Sequence, residues 1–216
     1  MNDYATIIKA NLPAREVPGL GGLQLHLAAP SSGLSRLPLD TPYFAFAWAG
    51  GLALAAHFQR NPAAIAGRKL LDFGAGSGVV GIAAALNGAE VTCAETDPAA
   101  VDAIRLNALL NRVELKVISD DLTDGPAPTV DVVAGGDIFY SPHVAARVLP
   151  FLERCLAGGA EVLVGDPGRT DLPRVWLQPV ASYEVCDVGS GSRTVASTVY
   201  SLRSTSHLAG RTPKML

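Results

Sequence analysis

The sequence predicts a doubly wound α/β protein whose parallel sheet ends in an antiparallel C-terminal hairpin. Short apolar runs alternate with helical segments between residues 70 and 166, which is typical of βαβ units. A glycine cluster follows the first of these runs, at the point where such sheets bind ligands. Two more strand-like runs, at residues 183–188 and 194–202, follow one another without a helix between them. We therefore expect seven strands, the last two forming a hairpin at one edge.

The first 41 residues show little periodicity, and we expect an N-terminal extension to the main domain. A short amphipathic start precedes one strand-like run at residues 22–28 and a loop rich in serine, glycine and proline. The pattern then predicts a helix over residues 44–60, which ends before Asn61-Pro62.

The remaining elements alternate in the order that a parallel sheet requires. We expect strands at residues 70–73, 91–95, 115–119, 130–137 and 160–166. The intervening helices are expected at residues 79–88, 98–111 and 143–159, with Asp97 as the N-cap before Pro98.

Length and composition suit one globular domain, which we place at residues 42–203. The chain has 216 residues, of which 49% are hydrophobic and 17% are charged. Its 17 basic and 20 acidic residues leave no excess of positive charge, so we predict neither nucleic acid nor an anionic membrane as a partner. Residues 204–216 have no periodicity and are predicted to be a disordered tail.

Cysteine usage and the N-terminal residues favour a cytoplasmic protein without a metal site. The number of cysteines, three, is odd, and none lies close to another in the sequence. The four histidines lack metal-ligand spacing. The first twelve residues contain no apolar signal-peptide core. The longest apolar stretch, residues 42–56, is shorter than the roughly 20 residues that span a bilayer.

The glycine cluster does not identify its ligand by itself. Residues 74–78 read GAGSG, while residues 76–81 match the dinucleotide fingerprint G-x-G-x-x-G. Either match is also compatible with glycines that only permit a strand-to-helix turn.

Acidic residues near the glycines favour an adenosyl ligand with a cationic tail. Asp72 lies inside the strand, where a carboxylate suits an ammonium group better than a pyrophosphate, although a purely structural role stays open. Glu95 ends the second strand, about twenty residues on, where a carboxylate accepts bonds from ribose hydroxyls. Asp121, rather than Asp120, is our candidate for the adenine amine, with a solvated loop acid as the alternative. These features together predict S-adenosylmethionine as the cofactor.

Several segments resemble known methyltransferases. LDFGAGSG and AETDPAAVDAIRLNALLN are similar to the first and second motifs of the seven-stranded, Rossmann-like class I S-adenosylmethionine-dependent methyltransferases. PYFAFAWAGGLALA (residues 42–55) and the D-x-x-Y sequence at residues 137–140 resemble segments of the lysine methyltransferases that modify non-histone proteins. VLVGDPGRTDLPR (residues 162–174) resembles a segment of one branch of that group, the electron-transfer flavoprotein β-subunit lysine methyltransferases and their bacterial relatives.

The resemblance implies a set of site residues. Asp137 and Tyr140 are expected at the substrate entrance. The residues expected around the cofactor, including neighbours in the same loops, are Trp48, Asp72, Gly74, Ala75, Gly76, Glu95, Thr96, Asp121 and Leu122.

The implied activity is methyl transfer to a protein lysine, with the electron-transfer flavoprotein β subunit as the expected target. Asp137 is expected to orient the amine or to hold the segment at residues 42–55, and a role as proton acceptor is left open. Tyr140 is expected to shape the channel. The alternatives are a methyltransferase acting on a ribosomal protein or a small amine, a non-catalytic adenosyl-binding module and, more remotely, a nicotinamide oxidoreductase. The oligomeric state is left open.

Overall fold

The structure is a computed structural model that describes residues 3–39, 41–187 and 193–203. The predicted tail at residues 204–216 lies outside the described residues. The strands are β1 (Ala14–Glu16), β2 (Gln24–His26), β3 (Lys69–Phe73), β4 (Glu90–Ala94), β5 (Lys116–Ile118), β6 (Val132–Gly136), β7 (Glu161–Asp166), β8 (Leu177–Asp187) and β9 (Arg193–Leu202). The helices are α1 (Tyr4–Asn11), α2 (Ala49–Arg60), α3 (Val79–Leu86), α4 (Pro98–Leu110) and α5 (Pro142–Ala157).

Strands β3 to β9 form one seven-stranded sheet in the order β5-β4-β3-β6-β7-β9-β8. The first five strands in this order are mutually parallel. Strand β9 lies antiparallel between β7 and β8. The predicted fold class, including the antiparallel C-terminal hairpin, is confirmed.

Helices cover both faces of this sheet because side chains alternate along each strand. Leu70 and Val132 pack in one apolar cluster with α2 and α3. Their neighbours Leu71 and Val133 pack in a second cluster, which contains Phe151 of α5. The central strands are therefore apolar on both sides, and polar groups concentrate where the strands end.

The predicted helix at residues 44–60 is wrong in its first five residues. Tyr43–Ala45 form a single 3₁₀ turn, and the chain is extended at Trp48 before α2 begins at Ala49. Phe44 is buried in a cluster with α1 and α4, whereas Phe58 is buried against the sheet. The apolar residues between 44 and 60 thus pack in two different clusters and do not form one face of a single helix.

The N-terminal extension is more ordered than expected. It contains α1 and a two-stranded sheet of β1 and β2, of which only β2 falls in the strand-like run noted above. Two asparagines next to or within α4 attach this sheet to the main domain. The His26 amide donates to Asn107 Oδ1 at 2.7 Å, and the Gln24 amide donates to Asn111 Oδ1 at 2.9 Å.

Neither a membrane span nor a metal cluster occurs in the part of the chain that the structure describes. In the described ranges, no helix has both the length and the apolar character needed to cross a bilayer. The same residues contain no group of three or more His, Cys, Asp or Glu side chains that could hold a metal ion.

Candidate functional site

A cavity of about 540 Å³ opens at the carboxyl ends of the parallel strands. It lies where the strand order reverses on either side of β3, which is the usual ligand position in such sheets. Its volume is in the range that small-molecule ligands occupy. The predicted site residues that line it are Trp48, Gly74, Gly76, Glu95, Thr96, Asp121, Leu122, Asp137 and Tyr140.

The loop between β3 and α3 brings backbone, and not side chains, to the cavity wall. Gly74, Gly76 and Gly78 all have positive φ angles, of 67°, 52° and 79°. Residues with side chains rarely adopt this conformation, so the turn requires glycine. The amides of Gly74 and Ala75 both donate to the Ala94 carbonyl, which ties the loop to β4. Ala75 is itself buried and does not line the cavity.

Asp72 is not brought to the cavity. Its side chain is 1% exposed and its carboxylate accepts a 2.8 Å bond from the Gly81 amide in α3. Burial raises the pKa of Asp72 to about 7. The prediction that Asp72 contacts a ligand ammonium directly is therefore wrong, because the side chain is buried away from the cavity. The carboxyl group instead anchors α3 behind the glycine loop.

Glu95 lies at the cavity and braces two loops at once. One carboxylate oxygen accepts from the Gly76 amide at 2.8 Å. The other accepts from the amides of Thr96 and Asp97, at 2.8 and 3.0 Å. Each carboxylate oxygen has about two acceptor directions, so one direction, on the oxygen that binds the Gly76 amide, remains for the ribose. Asp97 caps α4 through the Ala99 amide, as predicted.

Asp121 lies at the cavity in a small polar cluster. One oxygen accepts from the backbone and hydroxyl of Thr123, and the other pairs with Arg147 at 2.9 Å. The hydrogen bonds from Thr123, followed by the contribution of Arg147, lower the pKa of Asp121. The Asp121 carboxylate is therefore ionised at neutral pH. The neighbouring Asp120 also lines the cavity.

Aromatic side chains surround the mouth of the cavity. Trp48 Nε1 donates to the Tyr43 carbonyl at 2.9 Å. The ring of Tyr43 lies 6.2 Å from both Trp48 and Tyr140, measured between centroids. Tyr43 and Tyr140 are each 58% exposed, so they present aromatic surface to anything that enters.

Asp137 faces the cavity but is tightly held by the protein. Its backbone has a positive φ of 59°, which is uncommon outside glycine. Its Oδ2 accepts from the Gly51 amide of α2 at 2.9 Å, while its Oδ1 pairs with the Arg169 guanidinium. The carboxylate therefore caps α2, whose own N-cap residue Trp48 supplies no side-chain bond.

Glycines allow α2 to approach the sheet closely enough for this cap. A Cβ added to Gly50 would overlap the Gly165 carbonyl oxygen, and one added to Gly136 would lie 2.5 Å from Gly51 Cα. The amino end of α2 thus packs backbone to backbone against the ends of β6 and β7.

Arg169 is a cavity residue that the sequence analysis did not single out. The loop that carries it is held by the buried Asp166, which accepts from the amides of Gly168 and Arg169 at 2.6 and 2.7 Å. The Arg169 side chain also reaches Asp137 and lines the cavity. The sequence contains one indication of this pairing. Gly-Asp occurs at the carboxyl ends of both β6 and β7, which places two carboxylates side by side where a positive charge is needed.

A family model and several curated proteins match this chain. The family model is described as "Methyltransferase small domain" and matches residues 49–135, which run from α2 to β6. "Electron transfer flavoprotein beta subunit lysine methyltransferase" from Danio rerio is 39% identical over 135 residues, which cover 61% of this chain and 52% of that protein. Its Caenorhabditis elegans homologue is 30% identical over 172 residues, which cover 69% of this chain and 70% of that protein.

A second group of relatives matches over less of the chain. "Ribosomal protein L11 methyltransferase" from Symbiobacterium thermophilum is 35% identical over 124 residues, which cover 55% of this chain and 40% of that protein.

The chain spans 52 to 64% of the length of the vertebrate proteins named as electron transfer flavoprotein beta subunit lysine methyltransferases.

Solved structures share the fold. A Pyrococcus horikoshii protein described as a candidate RNA methyltransferase superimposes with a TM-score of 0.54 and 19% identity, over 93% of this chain and 96% of that one.

Proposed function

The chain belongs to the family of electron transfer flavoprotein beta subunit lysine methyltransferases, and from this premise we propose that it methylates a protein lysine. The proposed methyl donor is S-adenosylmethionine, and the proposed target is the electron transfer flavoprotein beta subunit. The observation that most supports this is the cavity at the switch point of the sheet, whose lining includes both Glu95 and Tyr140.

The side chains around the cavity fit an adenosyl ligand better than a dinucleotide. Five carboxylates line it: Glu95, Asp97, Asp120, Asp121 and Asp137. The two arginines among the described lining residues, Arg147 and Arg169, are both paired with carboxylates. A pyrophosphate would therefore meet acidic groups without an available guanidinium, whereas a cationic ligand would be attracted.

We propose that the glycine loop and the carboxylates hold the cofactor. Gly74 and Gly76 let the backbone approach it closely, and Glu95 takes the ribose hydroxyls. Thr96, Asp121 and Leu122 border the adenine side, and Trp48 closes over the adenosine. S-adenosylmethionine, when bound, supplies a methyl group that is already activated towards nucleophiles.

The chain's own contribution to the reaction is alignment and exclusion of water. The amine enters between Tyr43 and Tyr140, and the aromatic surface there removes part of its hydration. Partial desolvation favours the neutral amine, which matters because the ordinary lysine pKa is about 10.4. Asp137 holds the amino end of α2, and with it the segment that contains Trp48, in place.

The decisive test is methyl transfer between purified components. We expect incubation with S-adenosylmethionine and electron transfer flavoprotein beta subunit to add mass to a lysine peptide in steps of one methyl group. The same subunit with its lysines chemically acetylated should take up none. Absence of any transfer to the unmodified subunit contradicts the proposed target.

The ribosomal relatives support a second candidate substrate. If label from S-adenosylmethionine enters ribosomal protein L11 and not the flavoprotein subunit, the protein is a methyltransferase of another target. If S-adenosylhomocysteine binds and no lysate protein or small amine accepts a methyl group, the chain is an adenosyl-binding module instead.

We further propose that the protein works in the cytoplasm. All three cysteines lie within the described residues and none forms a disulfide. Unpaired thiols, two of them buried, suit a reducing compartment. Microscopy or fractionation of the native protein tests this assignment.

A further inference from the structure

Strands β6 and β7 present a pair of adjacent carboxylates at the edge of the cavity. They run parallel with Gly136 opposite Gly165, and each glycine is followed by an aspartate. Asp137 and Asp166 therefore leave neighbouring strand ends at the same level. Their side chains are 10% and 0% exposed, so water screens little of their repulsion.

The guanidinium of Arg169 lies between these two carboxylates. Its Nη1 pairs with Asp137 Oδ1 and also lies 3.3 Å from Asp166 Oδ2. Among the described residues, Arg169 and Asp166 are the charged groups that act on the Asp137 carboxyl. Burial raises the pKa of Asp137, and the positive charge of Arg169 opposes that increase.

Both oxygens of Asp137 are already used within the protein. Oδ2 accepts from the Gly51 amide at the amino end of α2, and Oδ1 accepts from Arg169. An incoming amine would reach this carboxylate only by displacing the arginine or the helix amide, so the protein already occupies the positions that a general base needs free.

From this geometry we infer that Arg169 is a positioning residue of the methyltransferase site. It neutralises Asp137 and Asp166 and keeps the Asp137 carboxylate against α2, which places Trp48 and Tyr140 at the cavity. Asp137 then acts through α2 and not as the base of the reaction. This inference rests on the proposed function for its catalytic part, but its electrostatic part concerns the fold alone.

Removing the guanidinium should leave two adjacent buried carboxylates with backbone hydrogen bonds but without a neutralising positive charge. In Arg169→Met, one of them should bind a proton at a pH where the wild type binds none. A group whose folded pKa is raised gives stability that is present at low pH and lost as the pH rises through that pKa. The variant should therefore be most impaired at alkaline pH, where a lysine nucleophile reacts best.

The experiment compares wild type, Asp137→Asn, Arg169→Met, Arg169→Lys and the double variant Asp137→Asn/Arg169→Met. Arg174→Met is the matched control, because Arg174 lies in the same segment and donates to the Gly168 carbonyl. Three quantities are measured from about pH 5.5 to about pH 8.5: the unfolding temperature, S-adenosylhomocysteine affinity and methyl transfer to the flavoprotein subunit.

We expect Arg169→Met to unfold roughly 6 °C or more below wild type at alkaline pH and to approach it at acidic pH. Its transfer rate should fall about tenfold or more. Arg169→Lys should recover part of both losses. The double variant should be more stable than Arg169→Met, because an amide in place of the Asp137 carboxylate leaves no unpaired charge there and its oxygen still accepts from Gly51.

Asp137→Asn separates the two roles of the aspartate. A positioning role predicts transfer within about tenfold of wild type, whereas loss of a general base typically costs about 10²–10⁴-fold. The inference is overturned if Asp137→Asn loses transfer to that degree with unchanged stability and ligand affinity. It is also overturned if Arg169→Met matches Arg174→Met in stability at every pH. The stability comparison of Arg169→Met with Arg174→Met needs no turnover, so that result does not depend on the proposed target.

Discussion

At the scale of single residues, the carboxylate of Glu95 joins the two loops that form the cofactor side of the cavity. Replacing it with alanine removes the acceptor for three backbone amides and the proposed acceptor for the ribose hydroxyls. We expect Glu95→Ala to weaken S-adenosylhomocysteine binding by about 1–3 kcal/mol, measured by titration calorimetry.

Glu90 offers a matched control, because it is an exposed glutamate at the start of β4, whereas Glu95 follows the end of that strand. Glu90→Ala should bind the ligand with wild-type affinity. An equal dissociation constant for Glu95→Ala and wild type would show that Glu95 does not contribute to the site.

The buried Asp72 makes a second residue-scale prediction, about pH. Its pKa is about 7 in the folded protein, against 3.8 for an ordinary aspartate. Between these values the folded state keeps a proton that the unfolded chain has released. The stability from this proton is present below about pH 4 and is lost as the pH rises through about 7.

We therefore expect the free energy of unfolding of wild type to fall relative to that of Asp72→Asn across this window. The steepest part should approach about 1.4 kcal/mol per pH unit. Urea unfolding of both proteins at several pH values measures this difference. Parallel pH curves would mean that Asp72 is ionised in the folded state.

The sequence indicates which acids stand at the cavity edge of the sheet better than it indicates where their side chains point. Glu95 follows a strand end and lines the cavity, because parallel strands end at one edge. Asp72 is inside β3 and shares a face with Leu70, so its side chain points to α3 and not to the cavity. Strand alternation contained that information. The pairing of Arg169 with Asp137 required knowing that β6 and β7 are neighbours.

At the scale of elements, the close packing of α2 on the sheet determines the shape of the site. Gly50 lies where a Cβ would overlap the Gly165 carbonyl oxygen and would be 2.6 Å from the Asp137 carboxylate. Alanine favours helices, so propensity alone would predict that Gly50→Ala stabilises the protein.

We expect the opposite, a loss of about 1–3 kcal/mol or more, because backbone on both sides must move apart. Gly21→Ala is the control, since nothing lies within 4 Å of a Cβ at that position. Urea unfolding compares the two variants with wild type. If Gly50→Ala is as stable as Gly21→Ala, the close approach of α2 does not constrain the fold.

The order of strands and helices could be read from the sequence, but the start of α2 could not. The period of the apolar residues distinguishes a strand from a helix wherever one face of the element is buried. Residues 42–48 instead divide their aromatic side chains between the core and the cavity mouth. Periodicity assumes that one face is buried, so it extended the helix through this segment.

At the scale of the whole molecule, the cofactor should stabilise the folded chain. A ligand that binds only the folded state at 100 times its dissociation constant adds about 2.7 kcal/mol of stability. For a chain of this size that corresponds to an increase of roughly 5–10 °C in unfolding temperature. We expect this increase with S-adenosylhomocysteine and none with NAD at the same concentration, measured by differential scanning calorimetry.

Glu95→Ala should show a smaller increase at the same ligand concentration, which links the thermal result to the cavity. Stabilisation by NAD alone would instead favour the oxidoreductase alternative. The fold class does not decide between these ligands, because one sheet supports many functions.

The position of β9 between β7 and β8 affects how the protein is made. Strand β7 pairs with β9, so β8 has no partner in the sheet when it leaves the ribosome. Synthesis proceeds at about 5–20 residues per second. The backbone edge of β7 therefore stays unpaired for a time on the order of seconds, until β9 (Arg193–Leu202) has been synthesised. During that interval the nascent chain presents an unpaired strand edge, which is the kind of surface that chaperones cover and that promotes aggregation.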